Sequence, residues 1–123
     1  MALENAPQVY TFEAGSDLST GQYKFVLITT DDQFDLVAAA GGAATGVLQD
    51  KPAAAGRAGL VATGGISKVQ LGGTVTVGMK LQSTAAGLAI EAASGDHVLG
   101  TCTKGGADGE VGEILLDSQH ILA

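Results

Sequence analysis

QYKFVLITTDDQFDLVAAA, residues 22–40, decides the fold class. Its first half is dense in Phe, Val, Ile and Thr, side chains that fit a pleated, half-buried surface. Asp31, Asp32 and Gln33 interrupt that run as a turn. FDLVAAA, residues 34–40, then reads as the return strand of a hairpin. Read locally, the same seven residues also allow a short capped helix ending at Gly41-Gly42.

The rest of the chain favours the strand reading. Beyond Gly46 it breaks into short apolar runs between glycines: GVLQD, GLVAT, ISKVQL, TVTV, MKLQST, LAIEAA, HVLGTCT and EVGEILLD. Turn signals separate them, namely KPAAAG, TGG, LGG, TAAG, SGD and KGGADG. In TVTVGMKLQS, residues 74–83, Val75 and Val77 alternate with Thr74 and Thr76, which predicts a strand with one buried and one wet face. Two segments, 47–61 and 98–116, both run from Val-Leu through a small-residue loop into another apolar strand, and both read as hairpins. The cadence predicts an all-β fold, a small barrel or sandwich of short strands with Gly-rich turns.

Residues 1–20 differ from the rest of the chain. One apolar cluster, Val9 to Phe12, lies in a polar segment with Pro7 before it. It reads either as an edge strand or as an extended N-terminal arm that orders against a partner's sheet. In the arm reading Val9, Tyr10 and Phe12 are the partner-binding residues, because aromatics are costly to expose without a purpose. Residues 21–123 then form a single β domain.

Composition narrows the function. The chain is 46% hydrophobic but only 4% aromatic, so its core rests mainly on Val, Leu, Ile and Ala. Burial stabilises by about 25 cal/mol per Å², and Ala contributes little area, so a partner or oligomer could supply part of the stability. The net charge of −7, with six scattered basic residues, argues against nucleic acid as a partner. Cys102 is the only cysteine and lies in a strand-like run, where a buried thiol is the ordinary reading. MALENAPQVY has neither the basic start nor the apolar run of a secretory signal, and no apolar stretch is long enough to cross a membrane as a helix. These features point to synthesis in a reducing cytoplasm.

Each catalytic pattern fails on its chemistry. The glycines at 41 and 46 have phosphate-loop spacing, but Val47 and Leu48 stand where Lys and Ser/Thr are needed. Asp31, Asp32 and Asp35 lack the ligand spacing of a calcium loop. Asp96 and His97 are adjacent, so on a strand they face opposite sides and cannot orient each other. His97, His120 and Cys102 are too dispersed to suggest zinc. No catalytic residue, cofactor or metal is expected.

GVLQDKPAAAGRAGLVATGGISKVQLGGTVTVGMKLQS (46–83) and GLAIEAASGDHVLGTCTKGGADGEVGEILL (87–116) resemble the head decoration, or capsid cement, proteins of tailed bacteriophages. The resemblance rests on a Gly-Val-Leu-Gln-x-Lys-Pro turn, a Gly-x-Ser-Lys-Val strand, a Gly-Gly turn and a closing Gly-Glu-x-x-Glu-Ile-Leu-Leu strand. It covers roughly residues 23–116 and rests on order and spacing. It implies a non-enzymatic virion protein on the outer surface of the expanded capsid, bridging major capsid protein subunits. It further implies a homo-oligomer, a trimer ahead of a dimer or monomer. Lys51, Arg57, Lys68 and Lys104 would be solvated turn charges or would meet acidic capsid patches. The rival functions are a virion-surface adhesion module that binds carbohydrate and an accessory subunit of an enzyme. The absence of Trp speaks against the sugar platform that the first of these needs.

Overall fold

The computed structural model describes residues 8–122, and the side chains of all of these except 117–120. The strands are β1 (Gln8–Ala14), β2 (Phe25–Thr30), β3 (Gln33–Leu36), β4 (Gly46–Leu48), β5 (Ala58–Gln70), β6 (Lys80–Ser83), β7 (Ala89–Glu91), β8 (His97–Lys104) and β9 (Val111–Ile121). No helix forms among the described residues, so the chain is all-β.

The hairpin over 22–40 forms as β2 and β3, antiparallel with Ile28 opposite Phe34 and Val26 opposite Leu36. Asp32 turns the corner in the left-handed region at φ 57°, which Asp tolerates better than most residues. The helical alternative over 34–40 does not form. Val37 leaves the ladder but still donates its N–H to Phe25 C=O at 3.1 Å.

The pairings close a ring. β1 runs parallel to β3 at Glu13 and Ala14 and antiparallel to β5 from Val9 to Glu13, while β2 and β4 complete the circuit β1-β3-β2-β4-β5. The second half of β5 leaves the ring and pairs with β9, which continues through β8 and β6 to β7. Gly64 and Gly65, expected as a turn, lie inside this 13-residue strand instead. Gly65 at φ 76° and a register shift opposite Gln8 and Val9 bend the strand from one sheet into the other. A local glycine signal is thus absorbed as a bend, because both flanks have strands to pair with.

Two cores arise from side-chain alternation. Val26, Phe34, Leu48 and Val61 point into the ring, whereas their neighbours Phe25, Val47 and Ala62 point outward. The outward set meets Val69, Leu71, Leu81, Leu99, Ile114 and Leu116 from the second sheet. The ring strands facing that sheet are therefore buried on both sides, which accounts for the unbroken apolar runs FV and VL. Over residues 111–116, β9 is covered on one side only. Gly112, Ile114 and Leu116 face in, while Val111 and Leu115 face out. Ala14 and Leu18, on the N-terminal side of the boundary expected after residue 20, are buried in the ring core.

The 74–77 strand is a correction. Only Val75 makes a β-bridge, to Gly106, and it is 2% exposed, whereas Val77 is 71% exposed in a turn with Gly78 at φ 92°. Two alternating Val-Thr pairs have the right periodicity, but among the described residues no neighbouring strand continues the ladder past Val75. The two hairpin-like segments do form hairpins, β4–β5 and β8–β9.

Candidate interaction surface

The three residues expected to bind a partner lie on β1 but do not form one patch. Tyr10 and Phe12 pair across to Val61 and Gly59, so both stand on the ring-interior side of β1. Phe12 is half-buried and packs on the ring core, while Tyr10 is 50% exposed at the open end. Gln8 Nε2 donates to Tyr10 Oη at 2.9 Å. Val9 faces the other side, 41% exposed, on the same outer face of the β1–β5 ladder as Leu60. Residues 1–7, the start of the expected arm, lie outside the described residues.

A larger exposed face belongs to the second sheet. Ile66, Lys68 and Gln70 on β5 oppose Leu115, Glu113 and Val111 on β9. Lys104 on β8 stands on the other side of Glu113, giving a Lys68–Glu113–Lys104 row across three strands. Tyr23 closes one end of this face. It is held at φ 64° by its N–H to Leu48 C=O (2.6 Å) and by Gln70 N–H donating to its C=O (2.8 Å). Such a conformation costs a bulky residue about 1–3 kcal/mol. It places the ring 5.8 Å from Lys68 Nζ. Tyr23, Lys68, Lys104, Val111, Gly112 and Glu113 line a shallow depression of about 250 Å³. The alternation in EVGEILL could have revealed the wet face of β9, but no sequence signal brings Tyr23 to it.

The other singled-out groups are structural in their contacts. Asp35 Oδ1 accepts from Ser16 Oγ at 2.6 Å, tying β3 to the turn after β1. Asp31 and Asp32 sit at the hairpin tip and line open clefts on both its sides. Asp96 Oδ2 accepts from Ala93 N–H at 3.1 Å and closes its own turn. His97 Nδ1 lies 3.3 Å from Gly41 C=O, so Asp96 does not orient it. Cys102 is buried, and that burial pushes its thiol up from the ordinary range. Ser67, buried on the inner face of β5, accepts from Gln49 Nε2 at 2.8 Å and donates to Lys68 C=O. Among the described residues no three His, Cys, Asp or Glu side chains are gathered for a metal ion. The side chain of His120 is outside those described.

No protein-family model matches the chain, and no curated protein sequence matches it. Among solved structures it is similar to the N base of the head fiber protein gp8.5 of bacteriophage phi29, with a TM-score of 0.70 at 18% identity. The alignment covers 91% of this chain and 95% of that one. At that identity the likeness is one of fold, and it extends over nearly the whole of both chains.

Proposed function

We propose that this chain is a non-enzymatic structural protein of a phage head, seated on the outer surface of the expanded shell and stabilising it by bridging major capsid protein subunits. The observation that carries the reading is the fold shared with the base of a head fiber over 91% of the chain. The order of glycine turns in the sequence points the same way independently.

The physical character of the molecule suits that task. Its fully buried side chains are mostly aliphatic, which makes a rigid body. Its outer faces expose Val9 and Leu60 together on the β1–β5 ladder, Val111 and Leu115 together on the outer face of β9, and Ile121 near the end of that strand. A contact built from such residues, near the low end of about 1,200 Å² for specific interfaces, is weak alone. Contact with two or three subunits at once, or trimerisation on the shell, raises the effective concentration and turns weak contacts into firm attachment. The net charge of −7 keeps free copies apart and gives no attraction to packaged DNA. Val9 and Tyr10, on opposite faces of β1, are its side chains with apolar surface to offer; Phe12 packs on the ring core.

The test is co-sedimentation of the purified chain with empty expanded heads and with unexpanded proheads. Saturable binding to expanded heads, with a stoichiometry in threes, is the expected result. Failure to bind either form, or glycan binding without heads, would overturn it.

A further inference from the structure

Among the described residues, β1 has a neighbouring strand on one side only beyond the hairpin tip. Glu13 N–H donates to Asp32 C=O (2.9 Å) and Gly15 N–H to Phe34 C=O (2.8 Å), while Ala14 N–H donates the opposite way, to Arg57 C=O (2.8 Å). Backbone groups alternate sides along a strand. Thr11 and Val9 therefore aim their N–H and C=O groups to the same side as Glu13. β3 reaches β1 only at Glu13 and Ala14. Among the described residues no strand pairs with Val9 or Thr11 on that side. An open ladder edge of this kind is a template for another extended chain.

The surroundings select the occupant. The edge opens into a cleft of about 500 Å³ lined by Thr11, Phe12, Glu13, Asp31, Asp32 and Ala58. Its ionisable side chains are all carboxylates. Pairing with a second copy would set those carboxylates against their equivalents, in a chain already at −7. Like charges across a ladder are destabilising, whereas opposite charges support it. We propose that the open edge of β1 takes up an extended lysine- or arginine-bearing segment of another protein as an added strand; naming a capsid subunit as its source rests on the function proposed above.

The probe is a short synthetic peptide alternating Thr and Lys, followed by fluorescence anisotropy against the full chain at low and high salt. Its controls are the same peptide N-methylated at alternate residues, which cannot complete a ladder, and a Thr-Glu peptide. Binding of the lysine peptide, at least about tenfold weaker for both controls and weaker in high salt, is expected. On the protein, Thr11→Pro removes one outward N–H at an edge position that accepts proline, and should lower affinity by a similar factor. Asp31→Asn with Asp32→Asn keeps the left-handed turn and should flatten the salt dependence. Equal binding of the methylated and unmethylated peptides, equal binding of the Lys and Glu peptides, or no binding at all would overturn the proposal, whether or not Thr11→Pro folds. In the head assay, a folded Thr11→Pro that sediments like wild type would sink the edge and leave the capsid reading standing. Lysine-peptide binding by a chain that ignores heads would do the reverse.

Discussion

Gly59→Ala tests the ring interior directly. A Cβ at this position would lie 2.6 Å from Phe34 Cζ and 3.3 Å from Leu48 Cδ1. Both side chains are fully buried, so neither can swing out to solvent. Gly59 is not in the left-handed region, so alanine is permitted by the backbone, and the reduced entropy of the unfolded chain favours it by about 0.4–1 kcal/mol. Overpacking opposes that with about 1–3 kcal/mol. Sterics win, and the net loss is about 1–2 kcal/mol. Phe34→Leu alone trims the ring and leaves unfilled space, at a cost of about 1–2 kcal/mol. In the double variant the new methyl occupies space the phenyl has vacated. The two losses should then fall short of additivity by about 1 kcal/mol. Urea unfolding of all four proteins, at one protomer concentration and with unchanged m-values, measures the cycle. Additivity within about 0.3 kcal/mol, or stabilisation by Gly59→Ala alone, would refute this packing of Phe34 under β5.

Three further outcomes are expected from the same structure. Val75→Ala should cost about 2 kcal/mol and Val77→Thr less than about 0.5, by thermal melting, because only the first is buried; equal effects would restore the alternating strand. Cys102 should react with a thiol reagent roughly a hundredfold more slowly than the unfolded chain, since reaction waits on local opening of β8 and burial disfavours the thiolate. Asp17 Oδ1 accepts Ser19 N–H at 3.0 Å, and the hydrogen bonds from Ser19 hold its carboxyl below the ordinary value. The folded carboxyl is the stronger acid, so its stabilisation is complete above the unfolded pKa and is lost as pH falls through the folded one. Asp17→Asn should therefore lower Tm slightly at neutral pH, with the difference closing in acid; a constant difference across that range would remove the carboxylate from the account.

How far the sequence discloses this fold depends on whether the deciding forces are local. The hairpin at 22–40 is legible because its turn residues and branched strands agree over a few positions. Asp32 at φ 57° is the kind of residue that such a corner tolerates. The hairpins over 47–61 and 98–116 are legible for the same reason. Gly64-Gly65 misleads because its outcome is set by what lies beside each half of β5, strands distant in sequence. Val77 misleads because periodicity says which residues share a face and not whether a neighbour covers it. The pairing of β1 with β5 joins residues some fifty positions apart and leaves no trace in local pattern. At the surface, Val9 and Tyr10 stand out by composition. The opposite facing of Val9 and Tyr10, the support of Phe12 by the ring, and the arrival of Tyr23 beside Lys68 are consequences of register and long-range hydrogen bonds.

The topology also limits how this body can join another by strand pairing. An open sheet of this order would have edges at β1 and β7, but the extra β1–β5 pairing closes the first end upon itself. β7 is three residues long and pairs through all of them with β6, while Leu71 bridges to Ala89 beside it. Short edges of that kind offer few ladder bonds and resist augmentation. Where β3 turns away at Asp32, ring closure stops short, and among the described residues no strand pairs with the remaining length of β1 on that side. A single residue more of β1–β3 pairing would begin to seal it. The Asp31-Asp32 turn therefore sets where the hairpin ends, fixes the length of the exposed edge, and supplies its negative charge. One local feature, readable in the sequence as a turn, acquires its consequence only from the ring built around it.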